Sequence, residues 1–203
     1  MKHKQLVSIS SGNRKLGCVM NVSTTPGRCC PKGIPCASDG CYANKLIRRF
    51  SSTRAAWRRN EDLAKHDPDS YFMQIAAQVA KVQPRLFRWH VAGDILNRDY
   101  LRGMCNIAVA NPDTHFLAFT MAFEIVNEYE DEEVVPSNLA IIFSAWPGMT
   151  FLNPHGRHRV AWMQDGTETR VSEDAIECPG GCESCGMCYE LDKLGRDVVF
   201  HKH

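Results

Sequence analysis

Seven cysteines fall in two tight groups near opposite ends of this 203-residue chain. No other feature restricts its fold and chemistry as much. Cys30, Cys36 and Cys41 lie in CPKGIPCASDGCYANK, and Cys178, Cys182, Cys185 and Cys188 lie in CPGGCESCGMCY. Thiols set this close either hold a metal, because thiolates are soft ligands for iron and zinc, or pair as disulfides. Disulfide frameworks belong to short secreted chains that cannot build a core. Here 44% of the residues are hydrophobic, enough to bury a core at this length. The opening MKHKQLVSISSGNRK has no apolar run of signal-peptide length, and no stretch approaches the length of a membrane span. The expectation is a cytoplasmic protein without membrane contact, whose thiols stay reduced and bind metal.

Spacing favours iron–sulfur over zinc. Cys182, Cys185 and Cys188 reproduce the compact C-x2-C-x2-C triple of iron–sulfur proteins. Cys178, followed by Pro179, supplies a fourth thiol ahead of the triple. Structural zinc prefers two C-x2-C knuckles set a dozen or more residues apart, for which the late group leaves little room. Zinc held by two early and two late cysteines is the alternative. The late loop could hold a [4Fe–4S] cluster alone, or early and late cysteines could share one. Among the others, Cys18 and Cys105 read as core, and Cys30 is preferred over its neighbour Cys29 because it precedes Pro31.

The net charge is +1, so the chain has no global basic footprint. Length and the lack of a linker or repeat predict a single domain over residues 1–203. Short strands are expected at 5–9 and 16–22, then helices from Ser51 or Ser52 to Pro68 and from Asp67-Pro68 to Pro84. A strand-rich run at 86–94 follows, then a helix capped by Asn97 with Leu101, Met104, Cys105, Ala108 and Val109 on its apolar face. Strands at 114–120, 139–146 and 159–163 complete the pattern, with an acidic helix from about 122 to 133. Strand and helix alternate, and LAIIFSAW (139–146) is almost continuously apolar, as a strand buried on both faces must be. The fold class is α/β with a mostly parallel sheet. With room for five or six units, it is expected to be a partial (β/α) barrel carrying a Cys-rich C-terminal loop.

Candidate reacting groups cluster at 86–94. Alternation places Phe87, Trp89 and Val91 on one face of the strand and Arg88 and His90 on the other, toward a barrel interior. Asp94 follows Gly93 at the carboxyl end, where parallel α/β enzymes carry their active groups. Arg88, His90 and Asp94 are therefore the catalytic candidates. Arg48, Arg49, Arg54, Arg58 and Arg59 form a dense strip, read either as a solvated helix face or as a phosphate contact. The acidic run at 124–133 reads as solvated surface. His155 and His158 have metal-like spacing, but Pro154 and Gly156 mark a plain loop.

Taken together in order, GNRKLG, CPKGIPCASDGCYANK, FRWHVAGD and CPGGCESCGMCY resemble a family of bacteriophage proteins called gene product 88. That resemblance implies a viral origin, and hence the host cytoplasm. The early CYA-type loop and the later Gly-Asp strand end also look like radical S-adenosylmethionine enzymes. Those are partial barrels with a [4Fe–4S] cluster on C-x3-C-x2-C in the loop after the first strand. Here five residues separate Cys30 from Cys36, and four separate Cys36 from Cys41. A fourth cysteine closing such a cluster would leave no iron for the cofactor.

Three readings follow. The first is an iron–sulfur protein with a structural or redox role, served by an electron donor. The second is a radical enzyme in which S-adenosylmethionine meets an open iron on Cys30, Cys36 and Cys41. The third is a zinc-binding adaptor that contacts nucleic acid through the arginine strip.

Overall fold

In the computed structural model, which describes residues 5–38, 41–154 and 156–201, one eight-stranded sheet organises the chain. Its strands are β1 (Ile9–Ser10), β2 (Met20–Val22), β3 (Leu86–Trp89), β4 (His115–Thr120), β5 (Leu139–Ala145), β6 (Val160–Gln164), β7 (Ile176–Glu177) and β8 (Val198–His201). The spatial order is β1-β2-β3-β4-β5-β6-β8-β7, so the sheet is open, with β1 and β7 at its edges. β1 runs antiparallel to β2, and every other pairing is parallel.

After the short α1 (Pro35–Ser38), five helices of eight or more residues fill the crossovers: α2 (Tyr42–Arg49), α3 (Ser51–His66), α4 (Pro68–Val82), α5 (Arg98–Ala110) and α6 (Phe123–Glu130). From β2 to β6 the strands follow one another in sequence order. Right-handed crossovers between strands laid down in one direction deliver their helices to the same face. Without a reversal of strand order there is no switch-point crevice of the doubly wound kind. The burial pattern agrees. Phe87, Trp89, Phe116, Ala118, Ile141 and Phe143 pack with the helices' apolar residues in one core. The alternate residues Leu86, Leu117, Ala140 and Ile142 form a second core with Tyr189 and Leu191 from the C-terminal segment. That segment carries α7 (Cys182–Cys185), a 3-10 turn at Met187–Tyr189 and α8 (Leu191–Leu194). Helices therefore cover one face of the sheet and the cysteine-rich segment covers the other.

Local chemistry sets most boundaries. Asp67 accepts from Ser70 N at 3.2 Å and Pro68 occupies the first turn of α4, a pairing that satisfies one free amide and needs no donor from the proline. Asn97 caps α5 by accepting from Tyr100 N at 2.8 Å. Two expectations fail. The α3 N-cap is Phe50, not a serine, because α2 (Tyr42–Arg49) runs up to it and only Phe50 takes an extended backbone. Val109 is exposed, while Tyr100 and Ile107 are buried with Leu101, Met104, Cys105 and Ala108, because the buried stripe starts one residue earlier than expected.

The acidic run is not simply solvated surface. Glu132 pairs with Arg98 at 2.8 Å and Glu133 with Arg102 at 2.6 Å, tying the end of α6 to α5. Glu130 accepts from His158 Nε2 at 3.0 Å, and His158 Nδ1 faces the Ile141 carbonyl at 3.1 Å. His158 lies in the loop ahead of β6, as expected, but it is a buried tether there; His155 lies outside the described residues. Among the described residues no helix is long and apolar enough to cross a membrane.

Candidate metal centres

The early group sits where the first parallel strand ends. β2 stops at Val22, and the chain from Ser23 to Thr25 stays buried. Ser23 Oγ accepts from Val91 N at 3.1 Å and Ala92 N at 3.3 Å, and Thr24 N donates to Ala92 O at 2.9 Å. Gly93 (φ +88) is needed here, since a Cβ would lie 1.9 Å from Thr24 Oγ1. Buried Asn60 of α3 donates to the carbonyls of Ser8 and Ser23, each at 2.8 Å. Glu61, fully buried, accepts from Arg28 and Lys65 at 2.8 Å each. α3 thereby fixes the base of the loop that carries the thiols.

Beyond that base, Cys30 Sγ accepts from Gly27 N at 3.4 Å. Burial pushes the Cys30 thiol up to about 12 and the Cys36 thiol up to about 11; Asp94 and the neighbouring thiols, Cys41 included, push both the same way. Cys30, Cys36, Cys41 and Asp94 therefore share one neighbourhood at the carboxyl ends of β2 and β3. Asp94 also locks β3 to β4. Its carboxylate accepts from Ile95 N at 2.7 Å, Thr120 Oγ1 at 2.5 Å and Met121 N at 2.9 Å. Burial raises it to about 6 although all three donors oppose the rise.

The late group docks at the other end of β2 and β3 through its Cys182–Glu183 turn. Cys182 N donates to Lys15 O at 3.3 Å and Glu183 N to Leu16 O at 3.0 Å, both just ahead of β2. Arg85, just ahead of β3, donates to Glu183 O at 2.9 Å. Glu183 Oε2 accepts from Cys18 N at 2.8 Å, an approach open only because residue 17 is glycine: a Cβ there would meet that oxygen at 2.3 Å. Cys18 itself is exposed, not core; it stands beside this docked turn rather than inside the sheet. Cys178 N donates to Val199 O at 2.9 Å. Cys178, Cys182 and Cys188 pack against the second core. Burial pushes Cys188 up to about 12, Cys178, Cys182 and Cys185 add to the rise, and Arg88 opposes it.

Arg88 points to the cysteine-covered face, as alternation predicts. Its guanidinium lies 4.7 Å from the Phe119 ring centroid. Its charge reaches Cys188 in one group and Tyr42, which follows Cys41, in the other. His90 does not share that face. The strand ends at Trp89, and His90 takes φ +23, which reverses the alternation. Its Nε2 lies 2.9 Å from Tyr100 Oη in the helix layer, and Val91 turns to the cysteine-covered core instead. Burial, with Arg88 adding, lowers His90 to about 3.

A histidine held neutral in the fold but free to protonate when unfolded removes stability as pH falls from 6.5 toward 3. The slope is about 1.4 kcal/mol per pH unit. His90→Gln is expected to flatten that stretch of the stability-versus-pH curve relative to the parent, read by urea denaturation at pH 7 and pH 5. Parallel curves would show that His90 does not titrate this way.

All ten cysteines are free thiols. Among the described residues no three His, Cys, Asp or Glu side chains converge on a point that would hold a single metal ion. The donor chemistry nonetheless suits a soft multi-iron group. Buried thiols with raised pKa values need nearby cationic charge to become thiolates, and iron supplies it. Buried Arg88 Nε and Tyr189 Oη have no hydrogen-bond partner, and Arg88 acts electrostatically on Cys188 and on Tyr189. Four thiols can ligate all irons of one cluster; three leave one iron without a protein ligand. Cys29 and Cys105 are buried in the cores. No sequence signal marks the docking of the late segment at the amino ends of β2 and β3, opposite the early group, nor the approach of Arg85, which only the packing brings to the late group.

A family model described as Gene product 88 matches residues 2–191. No curated protein matches the chain, and no solved structure does.

Proposed function

Because the chain belongs to the gene product 88 family, the bacteriophage proteins its motifs resemble, we propose that it is an iron–sulfur protein of the infected host's cytoplasm, built as a partial (β/α) barrel. The observation that carries this reading is the sorting of seven thiols into a set of four and a set of three. Cys178, Cys182, Cys185 and Cys188 hold one [4Fe–4S] cluster completely, which pins the C-terminal segment to the sheet and stores an electron. Cys30, Cys36 and Cys41 hold a second at the carboxyl mouth. Arg88 provides positive charge toward both, and Asp94 keeps the ends of β3 and β4 together beside the three-thiol set.

The second reading, a radical S-adenosylmethionine enzyme, is favoured by one specific observation. The three-thiol set occupies the loop after the first parallel strand and lacks a fourth cysteine. Loaded, such a site supplies reductive cleavage of S-adenosylmethionine at its open iron. In that case Arg88 and Asp94 line the approach to the substrate, while His90 acts from the helix layer as a positioning residue through Tyr100.

Protein purified under argon should contain iron and sulfide in equal amounts, no stoichiometric zinc, and broad visible absorption bleached by dithionite. A colourless sample with one zinc per chain would replace the iron reading by the zinc-adaptor one. With S-adenosylmethionine and dithionite, formation of 5′-deoxyadenosine selects the radical enzyme, and its absence from iron-replete protein selects the structural or redox role.

A further inference from the structure

The cations of this protein are not used evenly. Arg98, Arg102 and Arg170 each face a carboxylate within hydrogen-bond distance, and Arg28 and Lys65 share Glu61. The stretch from 42 to 60 is different. It carries Lys45, Arg48, Arg49, Arg54, Arg58 and Arg59 and no acidic residue, in a chain whose net charge is +1. Lys45, Arg48, Arg49, Arg54 and Arg58 are exposed, and among the described residues none of the five pairs with a carboxylate. Arg54 and Arg58 stand one turn apart on α3. Arg48 and Arg49 close the last turn of α2, where the helix dipole favours them.

The dipole accounts for two of these charges and not for the other three. Aromatic rings lie among them. Phe50, 44% exposed, sits between the two helices with Arg49 5.3 Å from its centroid, and Tyr42, 55% exposed, stands at the start of α2. The Tyr42 hydroxyl donates to the Val91 carbonyl, which holds the ring at the border of the three-thiol loop.

We infer that the α2–α3 face binds single-stranded nucleic acid, with the five unpaired cations along its phosphates and Phe50 and Tyr42 stacking on its bases. Unpaired cations beside exposed rings are what a strand with accessible base faces selects, and a duplex hides those faces; an anionic membrane, which also takes basic and aromatic side chains, is separated by the vesicle arm of the test. This inference does not depend on the metal reading, since its five cations and Phe50 lie outside both thiol groups, and Tyr42, which follows Cys41, contributes only its ring.

The test is fluorescence anisotropy of the full chain, prepared under argon, with labelled 20-nucleotide single strands of RNA and of DNA, a 20-base-pair duplex, and phosphatidylserine vesicles read by co-sedimentation. Single strands should bind with log affinity falling by roughly 3.5 per decade of salt for five phosphate contacts. Arg49→Gln/Arg54→Gln/Arg58→Gln should reduce that slope by roughly 2. Phe50→Ala should weaken binding about fivefold or more with the slope unchanged, and Arg14→Gln, exposed and remote, should leave both unchanged. Circular dichroism confirms that each variant folds. Absence of single-strand binding at 50 mM salt, equal binding of the duplex, preference for the vesicles, or a triple variant that binds like the parent would each overturn the assignment. Iron content measured on the same samples keeps its failure separate from that of the metal reading.

Discussion

Replacing Cys185 and Cys188 together by serine is expected to lower the iron of argon-prepared protein from about eight to about four per chain, with sulfide falling in step. The late segment docks at the amino ends of β2 and β3 through Cys182 and Glu183, and Cys178, Cys182 and Cys185 act on Cys188. The early thiols lie at the carboxyl ends and act on one another, with Asp94 acting on Cys30 and Cys36. Two separate sites, as proposed, would lose iron independently. The same variant should loosen residues 178–194, seen as faster amide exchange there. Leu191 and Tyr189 still anchor that segment to the second core, so the sheet itself should persist. Loss of all iron in the double variant would mean that early and late thiols share one cluster. Iron unchanged would remove the late group as a metal site. Cys30→Ser/Cys36→Ser is the mirror experiment, and it should leave the late cluster's absorption in place.

Phe87→Ala is expected to cost about 3–5 kcal/mol of folding stability, against a total of about 5–15 kcal/mol for a domain. Phe87 is fully buried in the middle of the sheet, with ring centroids 5.1 Å from Trp89 and 5.5 Å from Phe116. Truncation leaves a void on the helix side of the sheet, between the Trp89 and Phe116 rings. Urea denaturation measures the loss, and iron per folded molecule should stay at the parent value. The neighbouring residue gives the opposite result. Arg88→Leu removes a charge from the cysteine-covered face and one cation–π contact, about 0.5–2 kcal/mol. Without that cation the reduced, more negative cluster is less well stabilised, so the reduction potential should fall. Adjacent residues on one strand thus separate stability from redox behaviour. If Arg88→Leu left the potential where it was, the guanidinium would not act on either centre.

Much of the scaffold is readable without coordinates because its signals are local. Asp67-Pro68, Asn97 and Pro84 mark helix ends through bonds made within a turn. LAIIFSAW identifies a two-sided strand by apolar continuity alone. Other features depend on partners far away in the chain. Val109 looks like core on helical spacing, yet the buried stripe of α5 runs through Tyr100 and Ile107. Tyr100 is drawn inward because Tyr71, 29 residues earlier, and His90 offer its hydroxyl partners at 2.9 Å. The carboxylates of 130–133 resemble surface charge until α5 and His158 come alongside.

His90 shows the limit most directly. Alternation holds only while the backbone stays extended, and a single positive φ after Trp89 turns the imidazole from the cysteine-covered face into the helix layer. Nothing in FRWHVAGD announces that turn, because it follows from the demand of Ser23 and Thr24 for the amides and carbonyl of residues 91–92.

Residue types and short-range spacing alone determined the thiol chemistry of this protein, seven cysteines in two groups, and the succession of strands and helices that carries them. Tertiary structure decided where those thiols stand: three beyond the carboxyl ends of β2 and β3, four in the segment that covers the other face of the sheet and docks at the amino ends of those strands, with one arginine reaching toward both. Ligand identity is a property of single side chains, whereas the distance between groups more than a hundred residues apart is fixed only when the sheet brings their strands side by side.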